Sequence, residues 1–434
     1  MKRLIENKLL DWKNRKDKKP LLIFGARQIG KTHTMTEFGE REYGKENVAY
    51  FYFENNLKLQ EIFNKGVDNI NMLVAELGAY IGTIISPEKT LIIFDEIQAC
   101  NAALSSLKRF YETAPEYHII CGGSLLGLAF VREGYSFPVG KVEILNMYPM
   151  NFEEFLLEAN PHLLPFIREC YENNTPMSNA LHDKALAFYR TYLVIGGMPE
   201  VIKSHIAGES AVKVKAKQMS ILDTYITDMG KYSSVQDANR AKAAFNSIPN
   251  QLTKENHKFQ YALIKSGARA KEYEMSMEWL KSARIVLECR KTKGEVPLPM
   301  YADMLTYKIY MSDVGLLTAK SDFVANSVLT DTNLGSSAKG ALTENYVAQE
   351  LTAQGIPLYY WESNGKAELD FLLQGKKTAI PLEVKSAGNT RSQSLGVFVK
   401  KYKPEYSIRV SAKNFGFENG IKSIPLYAVW CIKP

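Results

Sequence analysis

Over the first 150 residues, short apolar runs alternate with amphipathic stretches. The segments "LLIFG" (21–25), "NVAYFYFE" (47–54), "TLIIFDE" (90–96), "YHIICGG" (117–123) and "KVEILNMYPM" (141–150) each read as a buried strand. Between them lie stretches of helical spacing, such as "LSSLKRFYETA" (104–114). This alternation predicts right-handed βαβ units and a doubly wound, mostly parallel α/β sheet over residues 1–150. From 151 to 235 the period is helical, and "FYRTYLVIGGMPEVI" (188–202) interrupts it with a turn at Gly196, Gly197 and Pro199. Residues 236–325 read as a winged helix, with three short helices followed by a strand pair. There "KFQYALIKSGA" and "AKEYEMSMEWLKSA" are helical, "RIVLECR" is a strand and "KTKG" a turn. A smaller mixed α/β domain is expected over 326–434, where the helix "GALTENYVAQELTAQ" precedes two apolar strands that carry charges. No internal repeat or low-complexity segment interrupts this order.

A chain of 434 residues is too long for one hydrophobic core, and about three domains is the natural expectation. Its 46% hydrophobic and 23% charged content is that of an ordinary soluble globular protein. A net charge of +7 permits a nucleic-acid partner without requiring one. Residues 1–19 hold eight Lys/Arg against three acids, and 394–434 seven against two; solvated helix faces explain such runs more often than phosphate contacts do. The five cysteines are scattered, which argues against a disulfide framework or a zinc site and fits a reducing compartment. The opening residues are too charged for a signal peptide, and no apolar run nears the roughly 18 residues that span a bilayer. A cytoplasmic protein with no membrane partner is expected.

The chemistry begins with "GARQIGKT" (25–32), which fills every fixed position of G-x-x-x-x-G-K-[ST], the Walker A phosphate loop. A strand precedes it and a helix follows, as its mechanism needs. The backbone of Gly25, Ala26, Arg27, Gln28, Ile29, Gly30, Lys31 and Thr32 would wrap the phosphates of ATP, with the glycines permitting the close approach. The anion would sit on a helix N-terminus. Lys31 would reach the outer phosphates and the Thr32 hydroxyl would ligate Mg2+. In "TLIIFDEIQ", Asp95 ends an apolar strand, where α/β sheets place ligand chemistry. Asp95 would hold Mg2+ through its water ligands, and Glu96 would orient or deprotonate the attacking water. The alternative, in which the two acids only cap the next helix, leaves the paired motifs unexplained. Ser124 in "IICGGSLL" reads equally as a γ-phosphate sensor or a helix N-cap. Arg109, Arg132 and Lys141 all remain candidates for an arginine-finger role, as does a residue from a second copy.

On these motifs the chain resembles the prokaryotic ATPases of the AAA+ superfamily that carry a C-terminal DUF4143 region. The matching pieces are "GARQIGKT", "LIIFDEIQ", "FPVGKVEILNMYPMNFEEFL", "YLVIGGMPEVI", "YKIYMSDVGLL" and "LEVKS", spread over nearly the whole length. The resemblance implies a P-loop NTPase domain, a helical and winged-helix middle region, and a restriction-endonuclease-like C-terminal domain. Two positions depart from the family pattern. The usual Gly-Ser-Ser is Gly122-Gly123-Ser124, and the usual arginine after "PVG" is Lys141, which has charge but no planar fork.

The proposed recognition helix, 269–284, carries Arg269, Lys271, Lys281 and Arg284 but also Glu272, Glu274 and Glu278. Three acids would repel phosphates, which favours a packing role over DNA binding. In "AELDFLL", Glu368 and Asp370 share one strand face, and in "TAIPLEVKS" Glu383 and Lys385 do. Taking "QGKK" as the turn pairs Leu373 with Thr378, sets Asp370 opposite Pro381, and gathers all four charges on one face. Asp370 and Glu383 stand thirteen positions apart with Lys385 next but one, which is similar to the D…E-x-K arrangement of restriction-endonuclease-like folds. Glu344, on the preceding helix between Leu342, Tyr346, Val347 and Leu351, would be the extra acid. In that chemistry Asp370 and Glu383 hold Mg2+ or Mn2+ and Lys385 orients the water or neutralises charge. A wet sheet face of ordinary surface residues is the alternative. Two functions follow: an ATPase coupled to nuclease-like action on DNA, or a regulatory ATP switch whose inactive C-terminal domain binds a protein partner. A homo-oligomer suits either.

Overall fold

The computed structural model describes residues 1–65, 69–124, 137–231, 234–254, 258–323, 325–330, 335–363, 367–386 and 393–433. They form two compact units, one of Arg3–Tyr148 with Ser282–Arg284, the other of Met1–Lys2, Pro149–Lys281 and Ile285–Pro434.

The first unit is built on five parallel strands: β1 (Leu21–Phe24), β2 (Val48–Tyr52), β3 (Leu91–Asp95), β4 (His118–Gly123) and β5 (Glu143–Asn146). Each falls within one of the apolar runs read from the sequence. Their order across the sheet is β2-β3-β4-β1-β5, which is a P-loop NTPase sheet. Strands β1, β3 and β4 are buried at every position, because helices cover both faces and leave no solvent side to alternate with. Phe94 on β3 meets the rings of Phe51, Phe53, Phe63 and Phe110 at centroid distances of 5.8, 5.6, 5.6 and 6.4 Å, mostly edge to face. Phe24 lies beside Gly123, and Asp95 beside both Gly122 and Tyr52. This register brings the C-terminal ends of β1 to β4 level with one another, where the doubly wound fold leaves its ligand crevice.

The second unit opens with helices. The helix Asn179–Ile195 stops at Gly196, whose φ is +70°, and the next begins at Pro199. A Cβ on Gly196 would stand 2.1 Å from Asp313 Oδ1, so glycine is needed there for the Asp313 carboxylate to accept from Gly197 N at 2.6 Å. Two helices, Val235–Leu252 and Ala270–Ser282, and a single 3-10 turn at Tyr261–Leu263 stand where three short helices were expected. The strand pair that follows, β6 (Val286–Thr292) and β7 (Tyr307–Met311), is not a free wing. The other edge of β6 is hydrogen-bonded to β8 (Tyr359–Ser363), which takes the pair into an eight-stranded mixed sheet. The sheet continues through β9 (Ala367–Gln374), β10 (Ala379–Val384), β11 (Ser407–Ser411) and β13 (Ile421–Pro425) to β12 (Gly416–Glu418) at its edge.

The β9–β10 hairpin has a register two residues away from the one read from sequence. Leu373 pairs with Ile380, not Thr378, and the loop is 375–378. A Cβ on Gly375 would meet the Thr378 carbonyl oxygen at 2.2 Å, so the tight approach of the loop needs glycine at that point. A shift of two keeps every side chain on its face. It moves Asp370 from opposite Pro381 to opposite Glu383, one step beyond the Phe371–Leu382 pair. The helix Ser336–Ala353 is buried at every residue from Ala341 to Leu351, so it is enclosed on all sides instead of presenting a single stripe. Among the described residues no helix is long and apolar enough to cross a membrane.

Candidate functional site: a phosphate loop and a neutralised acidic face

The loop between β1 and the helix Lys31–Tyr43 has left-handed backbone at Gln28 (φ 64°) and Gly30 (φ 92°). A Cβ on Gly25 would lie 2.3 Å from the Met147 carbonyl oxygen, so only glycine fits there. Lys31 is 6% exposed, and its Nζ donates to the carbonyl oxygens of Gly25 at 2.9 Å and Ala26 at 2.7 Å. Burial lowers the pKa of this ammonium from its ordinary 10.5 to about 8; Glu96 and Asp95 oppose the fall and Arg27 adds to it.

Around the loop the acids and hydroxyls converge. Thr32 Oγ1 donates to Asp95 Oδ2 at 2.6 Å, and the Tyr50 hydroxyl donates to the same oxygen at 2.9 Å. At Gly122 a Cβ would stand 2.8 Å from Asp95 Oδ1 and closer still to the end of Met35, so any side chain there would displace the Asp95 carboxylate or Met35. Glu96 follows with a left-handed backbone (φ 50°) and accepts from Ser124 Oγ at 3.1 Å and from the Gln98 amide. Ser124 accepts in turn from Arg27 Nε at 3.1 Å, while Arg27 Nη2 donates to both oxygens of Glu54, at 3.2 and 3.3 Å. Of the finger candidates, Lys141 pairs with Glu112 at 2.9 Å, Arg109 sits on the helix Asn101–Thr113, and Arg132 lies outside the described residues. A hydroxyl and a carboxylate 2.6 Å apart beside a phosphate loop supply the hard oxygen ligands that Mg2+ takes, so Thr32 and Asp95 fit that ion.

The C-terminal acids are arranged differently. Glu344 is 5% and Glu383 4% exposed, so neither is an ordinary surface residue. Lys308 on β7 is fully buried, and its Nζ lies 3.0 Å from Glu344 Oε1 and 2.6 Å from Glu368 Oε1. Glu344 also accepts from the Tyr310 hydroxyl. Burial alone would lower the Lys308 pKa, but Glu344, Glu368 and Asp370 outweigh it and hold the ammonium charged. Asp370 Oδ2 accepts from Val384 N at 2.6 Å; burial, with the Glu344 charge, raises its pKa to about 7 against the pull of Lys308. Lys385 Nζ pairs with Glu383 Oε1 at 3.0 Å, and among the described residues Glu383 Oε2 has no hydrogen-bond donor, with Arg409 Nε 4.0 Å away. Thus Asp370, Glu383 and Lys385 are neighbours, as the sequence implied, and Glu344 belongs to a cluster centred on Lys308. Among the described residues no group of three or more His, Cys, Asp or Glu side chains converges as a metal cage. Sequence reasoning missed Lys308, Tyr50, Glu54 and the reach of Arg27. The signal for Lys308 was a lysine between tyrosines in the apolar run "YKIYM".

Three family models match the chain: an AAA domain over residues 17–156, a domain of unknown function (DUF8612) over 186–327, and a second, DUF4143, over 339–429. No curated protein matches in sequence. The Walker-type ATPase PABY2304 of Pyrococcus abyssi is similar at 15% identity and a TM-score of 0.45, over 74% of this chain and 95% of that one. The Aeropyrum pernix ORC2 protein, solved as ADPNP–ADP complexes, is similar at 14% identity and a TM-score of 0.33, over 77% of this chain and 90% of that one.

Two outcomes follow from the buried lysines. Between about pH 8 and 10.5 the unfolded chain binds the Lys31 proton and the folded one does not, so stability should rise with pH across that window. Denaturant unfolding at several pH values should show this rise in the wild type, at up to about 1.4 kcal/mol per unit, and Lys31→Met should remove it. A wild-type minus variant difference that stays flat would contradict the burial of Lys31. Lys308→Met should cost about 3–5 kcal/mol in the same assay, because it strands the buried Glu344 carboxylate as well as the partly exposed Glu368. A loss under about 0.5 kcal/mol, typical of a surface site, would show that those acids are not held by Lys308.

Proposed function

We propose that this AAA-class ATPase with a DUF4143 region at its C-terminus is a Mg2+-dependent ATP switch, and that its C-terminal domain binds a partner without cutting nucleic acid. The observation that carries the first half is Lys31, buried and solvated only by two neutral carbonyls. A triphosphate would offer that ammonium negative charge at contact distance, which Glu96 and Asp95 supply only from further off. Binding would exchange the carbonyls of Gly25 and Ala26 for phosphate oxygens and bring the lysine back to its full charge. The amides of residues 25–32 would face the same phosphates from the helix N-terminus. Thr32 and Asp95 would hold Mg2+, whose charge offsets that developing on the transferred phosphoryl group. Glu96 would place the attacking water and take its proton, with Ser124 and Gln98 fixing the carboxylate.

The second half is supported by Lys308. In a cutting site the acids need an external cation, and here a built-in ammonium already pairs with Glu344 and Glu368 and offsets part of the negative field at Asp370. A nuclease acting on DNA remains the second reading, favoured by Asp370 standing opposite Glu383 and by the unsatisfied Glu383 Oε2.

Calorimetry and phosphate release test the switch together. Lys31→Ala should abolish ATP binding, while Glu96→Gln should bind ATP and hydrolyse it about 100-fold or more slowly, the usual weight of a general base. Wild-type turnover in Glu96→Gln would remove that residue from the reaction. Incubation with plasmid DNA, Mg2+ or Mn2+, and ATP should leave the DNA intact. Cleavage that disappears in Asp370→Ala would replace the partner-binding reading with the nuclease.

A further inference from the structure

We propose that Arg27, a residue of the phosphate loop itself, is the cation that reads the terminal phosphate of ATP, and that Glu54 holds it in reserve. The assignment rests on the ATPase reading above and supplies a role that Arg109, Arg132 and Lys141 left unfilled.

The geometry is specific. Arg27 leaves the loop and crosses to residues just beyond the C-terminal ends of β4 and β2, the two strands that flank β3. Glu54 comes two residues after β2 and Ser124 one residue after β4. Its Nε donates to Ser124 Oγ, and its Nη2 straddles the two oxygens of Glu54. Ser124 passes the chain of contacts to Glu96, so the guanidinium is linked through one hydroxyl to the carboxylate assigned to the water. The side chains of Arg27 and Glu54 are 15% and 22% exposed, which leaves the guanidinium reachable from the crevice.

Charge then decides what this pair does when a nucleotide enters. Arg27 and Lys31 are two cations of one loop whose charges repel, and an anion bound to that loop would relieve the repulsion. Glu54 is an anion beside the same loop and would repel a terminal phosphate. The repulsion disappears if the guanidinium turns its planar fork from carboxylate to phosphate, a pairing it makes bidentately and strongly. ADP has no third phosphate, so with ADP bound Arg27 stays on Glu54. Letting go of Glu54 and Ser124 would also change what holds Glu96. The same residue would therefore distinguish the two nucleotides and release the base, and no second copy of the chain is needed.

The test compares ADP with a non-hydrolysable ATP analogue, each with Mg2+, by titration calorimetry on the full chain. Arg27→Ala should weaken the ATP analogue at least tenfold and change ADP affinity less than threefold, erasing the preference for the triphosphate. Glu54→Gln should tighten the analogue and leave ADP alone, since it frees the arginine. Arg27→Lys, which keeps the charge and loses the fork, should fall between wild type and Arg27→Ala, and it carries the test with Glu54→Gln if Arg27→Ala does not fold. A purely structural pair would lower both affinities together, and that result, or an unchanged ratio in every variant, overturns the proposal. If the wild type binds neither nucleotide and Lys31→Ala changes nothing, the ATPase reading itself falls and takes this assignment with it.

Discussion

An ammonium group taken out of water must be neutralised or solvated by something the protein provides, and this chain meets the requirement in two opposite ways. Lys31 is given only carbonyl dipoles, with Glu96 and Asp95 near but not touching, so its proton is held weakly. Lys308 is given two carboxylates at 3.0 and 2.6 Å and the field of a third, so its proton is held tightly. The first lysine has a deficit of negative charge that a ligand can fill. The second has none.

The groups around each lysine differ accordingly. Around Lys31 the level strand ends, the left-handed loop and the close approaches at Gly25 and Gly122 bring together an ammonium, the Thr32–Asp95 oxygen pair and the Glu96 carboxylate. Around Lys308 the same kinds of group are consumed by each other. Glu344 is bonded to Lys308 and Tyr310, Asp370 to a backbone amide, and Glu383 to Lys385. This ion network sits on β7, β9 and β10 and the enclosed helix that backs them.

The N-terminal sheet was legible in the sequence because fully buried parallel strands are continuous apolar runs, such as "LLIF" and "LIIFD". The phosphate loop was legible because its glycines and its lysine are fixed by steric and electrostatic need. Long-range pairing was not. Nothing in "RIVLECR" shows that β6 has a second partner seventy residues onward, so a strand that enters an eight-stranded sheet read as part of a wing. The hairpin register depended on how closely Gly375 approaches Thr378, which face parity does not detect, since a shift of two leaves it unchanged. Arg27 read as one more backbone position of the loop, because the carboxylate it reaches is brought near only by the parallel crossover to β2.

The account therefore depends on the ionisation of one amine. With lysine side chains carrying a 13C label next to the ε-nitrogen, an NMR pH titration reads Lys31 and Lys308 separately, each assigned by its substitution. Lys31 should titrate near pH 8 and move upward when ATP and Mg2+ are added, while Lys308 should stay charged across the whole alkaline range and ignore the nucleotide. A Lys31 signal that titrates at the ordinary lysine value and does not respond to ATP would contradict the claim that this buried cation is waiting for a phosphate.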